Sequence, residues 1–311
     1  MRCNVAKAVH RRLPLPLVGV RLSGMSGGHV HLNGRIVPTE AAGISVSDAG
    51  FLHGASAFTT MLAHNGVVFR LRGHLERLMA TVRRLGLRCD ESPELLMAGV
   101  DELLEANELT EARLRITLTP GAVSASGGRP TTLITADPLP EYPSWWYRSG
   151  IAVVIAEWPQ TADEVTSGCK TGCYLPRVMA MQAAVGKGAA EALWFTQTGR
   201  LAEACFCNIF LVLSGQVLTP PLDTPVLEGM VRGAVVELCT RVGIECHTDR
   251  PLRLGDLLAA EEVFLTASCS GVRPVCRIER HDVGAGGVGE ITGKIMSAYK
   301  DLLDQECTAD L

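Results

Sequence analysis

The chain has 311 residues, 47% of them apolar and 20% charged, with a formal net charge of −4. That length and balance suit a large globular protein of two domains. The mildly acidic charge offers nothing to nucleic acid or to an anionic membrane surface.

Residues 1–28 carry Arg2, Lys7, Arg11 and Arg12, then an apolar run broken by Pro14 and Pro16 and followed by Arg21. The run is too short and too interrupted for a signal peptide. It is expected to be a disordered extension, with folded chain starting near Met25. No stretch reaches the ~18 apolar residues of a membrane span. Eleven scattered cysteines lack zinc-ligand spacing beside histidines. Cys169 with Cys173, or Cys205 with Cys207, are the nearest to metal pairs. Small buried apolar residues in a reducing cytoplasm explain them better, and no metal site is expected.

Residues 29–137 read as an α+β domain. Asn33-Gly34 signals a type I′ hairpin within His29–Val37, and Asn65-Gly66 repeats the signal before a strand at Val67–Leu71. Leu75, Leu78, Met79, Val82 and Leu85 recur at helical spacing within Arg72–Gly86. Ser92-Pro93 caps a helix running to Asn107. Strands are expected at Arg113–Leu118 and Thr131–Ala136. Three prolines and Trp145-Trp146-Tyr147 mark 138–149 as a linker whose aromatics pack it down. A larger, strand-rich domain with outer helices is expected over 150–305, followed by a tail at 306–311. Its strands are Ile151–Glu157, Glu191–Thr196, Cys207–Leu213, Gln216–Leu218 and Glu262–Thr266. Its helices are Gly229–Val242 and Ile291–Asp304.

Only five of the 29 basic residues are lysines, and Lys170 differs from the rest. It lies in Ser-Gly-Cys-Lys-Thr-Gly-Cys-Tyr-Leu-Pro, among small and apolar residues. An amine there loses hydration, as an amine nucleophile requires. Five further blocks follow a recognisable order around it: Ser47 to Gly54, His74 to Leu78, Glu203 to Phe210, Thr219 to Leu222, and Leu227 to Arg232. Together with Lys170 to Leu175 they resemble the class IV, fold-type IV pyridoxal-phosphate enzymes. That group includes branched-chain and D-amino acid aminotransferases and aminodeoxychorismate lyase. The resemblance covers His31 to about Asp304. It implies an α+β fold of two domains, pyridoxal 5'-phosphate as cofactor, an amino acid and a 2-oxo acid as substrates, and a homodimer or higher homo-oligomer.

Residue by residue, the resemblance puts Lys170 where the family forms its internal aldimine and Glu203 where a carboxylate faces the pyridine nitrogen. Tyr174 takes the position of a phenol beside the cofactor's hydroxyl, and Asn208 orders the turn after Glu203. Arg77, the helix start Gly229-Met230-Val231 and Ser268 take the phosphate positions. Many relatives have threonine at Val231. His53, Phe58, Thr60 and Arg115 fall on the substrate side.

Substrate choice stays open. Phe58-Thr59-Thr60 resembles the lyase, whereas branched-chain enzymes usually have Phe-Glu-Gly. Pro120 stands where lyases and D-amino acid enzymes commonly carry arginine, which removes one carboxylate clamp. Trp145, Trp146, Met61, Leu62 and Ala122 leave room for an apolar side-chain pocket. The leading expectation is a branched-chain-like transfer from a hydrophobic L-amino acid to 2-oxoglutarate. Aminodeoxychorismate lyase is the alternative, and a D-amino acid aminotransferase fits less well. A non-catalytic protein on this fold would have lost Lys170 or Glu203, and both are present.

Overall fold

A computed structural model describes residues 28–123 and 128–308. Most of the extension expected over 1–28 therefore lies outside the described residues. Two sheets organise the chain. The first has six antiparallel strands: β1 (His29–Leu32), β2 (Ile36–Pro38), β3 (Ala57–His64), β4 (Val67–Val68), β5 (Ala112–Thr119) and β6 (Thr131–Pro138), in the order β2-β1-β6-β5-β3-β4. Both expected type I′ turns form, with Asn33, Gly34, Asn65 and Gly66 all at positive φ. The short helix α1 (Ala49–His53) precedes β3. One face of the sheet is covered by α2 (Leu71–Arg84) and α3 (Pro93–Ala106). Leu75, Leu78 and Val82 meet Leu96, Val100 and Leu103 over Leu114 and Ile116 there, forming one buried core. Asp48 and Ser92 cap α1 and α3 with their side chains.

The second sheet contains β7 (Ile151–Ile155), β8 (Glu191–Phe195), β9 (Leu201–Ala204), β10 (Asn208–Leu213), β11 (Gln216–Leu218), β12 (Cys246–His247), β13 (Glu262–Ala267), β14 (Gly271–Ile278) and β15 (His281–Asp282). Its order is β12-β11-β10-β13-β14-β7-β8-β9, with β15 beside β14. Strands β9 and β10 are distant in that order, yet only residues 205–207 join them. The sheet must therefore curl back on itself, around a core that includes Ile209, Leu211, Leu265 and Val275. Helix α4 (Ser144–Ser149) occupies the segment between the sheets and buries Trp146 in that core. Helix α5 (Leu175–Gly186) makes the crossover between the parallel pair β7 and β8. Helices α6 (Met230–Arg241) and α8 (Glu290–Glu306) cover Phe210 and Phe264 on the outer face. Helix α7 (Leu254–Ala259) adds Leu257 to the inner core.

Several expectations change. The strand expected at Val67–Leu71 ends at Val68, because Leu71 already begins α2. Met61, assigned to a substrate pocket, is fully buried in the first core, since it points to the helix side of β3.

Candidate active site

Lys170 belongs by sequence to the approach to the second sheet, but the first sheet holds it. Phe58 N–H donates to the Lys170 carbonyl at 2.9 Å, and Gly172 N–H donates to the Ser56 carbonyl at 3.0 Å. This clamp aims the amine across the seam. Lys170 Nζ lies 3.3 Å from the Tyr174 hydroxyl and 4.6 Å from the Phe58 ring centroid. Tyr174 is fixed by an edge contact with Phe58 at 5.2 Å and by stacking on Phe206 at 5.7 Å.

Glu203 lies on β9, one residue before its end, and is nearly sealed from solvent. Arg177, on the first turns of α5, donates to Glu203 Oε1 at 2.6 Å. Leu227 N–H and Asn208 Nδ2 donate to Oε2 at 2.9 and 3.4 Å. Arg177 also donates to the carbonyls of Ala204 and Cys205. Burial alone would lower the arginine's pKa, but Glu203 more than offsets this and holds it above the ordinary value. Arg177 was not anticipated from the sequence, because its partner lies on another element. Asn208 fixes the turn from its other side, donating to the Leu227 carbonyl at 2.8 Å.

Arg77 projects from α2 and donates to the Glu228 carbonyl at 2.5 Å and to Thr59 Oγ1 at 3.2 Å. Burial lowers it to about 10. Thr59 is also 2.8 Å from His74 Nδ1. Burial, with help from Arg77 and Lys170, pushes His74 well below its ordinary value, so the ring that shares this hydrogen bond with Thr59 is neutral. Arg77 is thereby held beside the start of α6, where Met230 and Val231 present unbonded N–H groups. A Cβ on Gly229 would meet Asn208 Oδ1 at 2.1 Å, so only glycine allows this approach.

These groups border one cavity of about 500 Å³. Phe58, Thr60, Arg77, Arg115, Lys170, Tyr174, Asn208, Gly229, Met230, Val231 and Ser268 all line it. Glu203 sits directly behind Asn208 and Leu227. Thr266 Oγ1, on the same wall, is buried without a partner. Trp146 lines the cavity, whereas Trp145 is exposed. His53 is not brought in; it is exposed at the end of α1. Beneath the cavity, burial pushes the Glu191 carboxyl up to about 7, although Arg273 stands 3.8 Å away and favours its ionised form.

The residues fit a flat, phosphate-bearing aldehyde. Arg77 and the α6 start form an anion pole, and the orphaned Thr266 hydroxyl faces the same space. An amine and a phenol stand together, and an oriented carboxylate lies behind the Asn208–Leu227 wall. No group of three or more His, Cys, Asp or Glu side chains among the described residues is placed to hold a metal ion. No described helix is long and apolar enough to cross a membrane.

Comparisons agree with this constellation. The family model for class IV aminotransferases matches residues 56–278. A Methanocaldococcus jannaschii protein, provisionally named a branched-chain-amino-acid aminotransferase, is 33% identical over 88% of this chain and 96% of its own length. The aminodeoxychorismate lyase of Bacillus subtilis is 28% identical, covering 87% of this chain and 93% of its own. The crystal structure of the Escherichia coli branched-chain amino acid aminotransferase superposes with a TM-score of 0.86 at 26% identity, covering 91% of this chain and 97% of that one. The chain belongs to the class IV aminotransferases, a family of pyridoxal-phosphate-dependent enzymes.

Proposed function

We propose that the protein transfers the amino group of a hydrophobic L-amino acid to 2-oxoglutarate, with pyridoxal phosphate held on Lys170. The observation that carries this reading is the convergence on one cavity of the Lys170–Tyr174 pair and the Arg77–α6 anion pole, with the Glu203 carboxylate held just behind its Asn208–Leu227 wall. The cofactor, when bound, supplies the electron sink for negative charge at the substrate's α-carbon. Glu203 would hold a proton on the ring nitrogen, its carboxylate fixed by Arg177 and the Leu227 N–H. Arg77 and the N–H groups of Met230 and Val231 would hold the phosphate, with Ser268 on the lining of the same cavity as a further contact. Lys170 would be the attachment point for the cofactor, and its free amine would move the proton from the substrate's α-carbon. Phe58 and Trp146 supply apolar wall for a hydrophobic side chain.

One observation favours a second reading. Thr60 lines the cavity directly across the ladder from Arg115, where a hydroxyl can serve the elimination performed by a lyase. Incubating the holoenzyme with L-leucine and 2-oxoglutarate, and separately with aminodeoxychorismate, decides between them. Glutamate formation supports the transaminase, and pyruvate release without it supports the lyase.

A homodimer accompanies this reading. Phe51 and Leu52 on α1, and Leu175 and Met179 on α5, are exposed apolar side chains. The Cys173 thiol, which donates to the Gly54 carbonyl at 3.6 Å, brings the two helices together. The patch is of the kind that association covers. Phe51→Asp with Leu175→Asp should yield monomers in sedimentation experiments.

A further inference from the structure

Six cationic residues, Arg77, Arg113, Arg115, Lys170, Arg232 and Arg273, border the cavity against the single carboxylate of Glu191. Four of them are accounted for. Arg77 faces the anion pole and Lys170 is the amine. Arg273 faces Glu191. Arg232 donates to the Pro220 carbonyl at 3.1 Å.

Arg113 and Arg115 remain. They stand two residues apart on β5, so their side chains leave the same face of the strand, opposite Leu114 and Ile116 of the core. Across the ladder, one row is Leu62–Arg113–Asp137 and the next is Thr60–Arg115–Thr135. Arg115 Nε donates to Thr117 Oγ1 at 3.0 Å, and no ion pair among the described residues involves this guanidinium. Burial, and to a lesser degree Arg113, lower Arg115 to about 10. Arg113 reaches Asp137 through a single contact of 3.3 Å. Two half-buried cations side by side, with one loose counter-ion on Arg113 alone, are costly in a protein without a ligand. An arriving anion removes that cost.

Resting on the transaminase reading, we propose that Arg113 is a specificity-determining residue, forming with Arg115 a subsite for substrates that carry two carboxylates. Arg115, in the row nearer Phe58 and Lys170, takes one carboxylate and Arg113 takes the other. Side chains two apart on a strand are separated by roughly 7 Å. The terminal carbons of an extended five-carbon diacid are about 5 Å apart. The guanidinium–carboxylate contacts span the difference. Asp137 gives the arrangement its second state: it holds Arg113 when an apolar side chain fills the cavity and yields it when a diacid enters. One cavity thereby serves both partners of the amino exchange.

The test measures binding without turnover. Glutarate and pentanoate, two unreactive acids of equal length, are titrated into the holoenzyme and followed by the absorbance of the bound cofactor. The wild type should bind glutarate at least tenfold more tightly. Arg113→Met should remove that preference by weakening glutarate alone, and Arg113→Lys should retain part of it. Should Arg113→Met fail to fold, a reduced but remaining preference in Arg113→Lys supports the subsite, and an unchanged preference in that variant overturns it. Equal weakening of both acids, or a preference that survives in Arg113→Met, would overturn the subsite. Failure of L-leucine to react would overturn the transaminase reading and leave this ligand preference standing on its own.

Discussion

The Arg115 guanidinium lies on the Phe58 ring, its Cζ 3.5 Å from the ring centroid. The same ring carries the Lys170 ammonium at 4.6 Å. Phe58 thus keeps two cations of the site within reach of one substrate while its π system offsets part of their charge, about 0.5–2 kcal/mol for each contact.

Phe58→Leu keeps most of the volume and removes that compensation. KM for the amino donor should rise several-fold, with kcat falling less, because the change loosens Arg115 more than it alters Lys170. Steady-state kinetics would check this; a fall in kcat at constant KM would count against it.

Lys170→Ala should abolish both turnover and the visible absorption band of the cofactor-bound protein. The fold should survive, since the backbone clamp to Ser56 and Phe58 does not involve the amine. Absorbance spectra beside circular dichroism would test both halves. An unchanged band would place the reactive amine elsewhere.

Glu203→Gln should still bind the cofactor through Arg77 and the start of α6, yet lose several orders of magnitude in kcat. Each tenfold corresponds to about 1.4 kcal/mol of barrier. The variant also leaves Arg177 buried without its anion, so thermal stability should drop measurably. Near-wild-type turnover would show that another group protonates the ring.

His64 joins the two halves of the chain, with Nδ1 2.9 Å from Glu111 and Nε2 2.8 Å from Asp304 on α8. Burial opposes its charge, but the two carboxylates outweigh it and raise the pKa above 6.5. A raised cationic group stabilises the fold fully below its unfolded value near 6.5, and that stability is lost as pH climbs through the higher folded value. The site is partly exposed, so the effect should be at most about 1 kcal/mol. Denaturation midpoints of the wild type and His64→Gln should differ at pH 6 and converge at pH 9.

Thr60→Gly separates the two chemistries. A transaminase should tolerate it, or gain activity on bulky amino acids, because the hydroxyl only narrows the cavity. A lyase should lose pyruvate release sharply, because the departing enolpyruvyl oxygen needs a nearby proton donor. Assays of both activities on this variant would show which holds.

Much of the fold follows from local pattern. Asn-Gly pairs fix the hairpins, and the apolar spacing in α2 and the Ser92-Pro93 start of α3 are readable without any partner. Strand β14 is harder to see. Pro274 cannot donate to a ladder, yet it sits opposite Phe264 in a strand flanked on both sides. Strand β3 is buried on both faces over most of its length and so lacks the period-2 signal. In the site, Lys170 stands out because its type is odd for its surroundings, whereas Glu203 is reached only through the family resemblance. Arg177 and Arg113 do not stand out, since an arginine near a helix start or on a strand looks like a solvated surface group until the opposing element is present. His53 carries a motif but no contact with the cavity in this chain.

The Lys170 segment is stitched by its backbone to Ser56 and Phe58, far earlier in the chain. The candidate site is therefore complete only after regions distant in sequence have met, a late and entropically expensive step in folding. Capture of the coloured cofactor should accordingly lag behind the formation of secondary structure during refolding, making the ligand a reporter of final assembly.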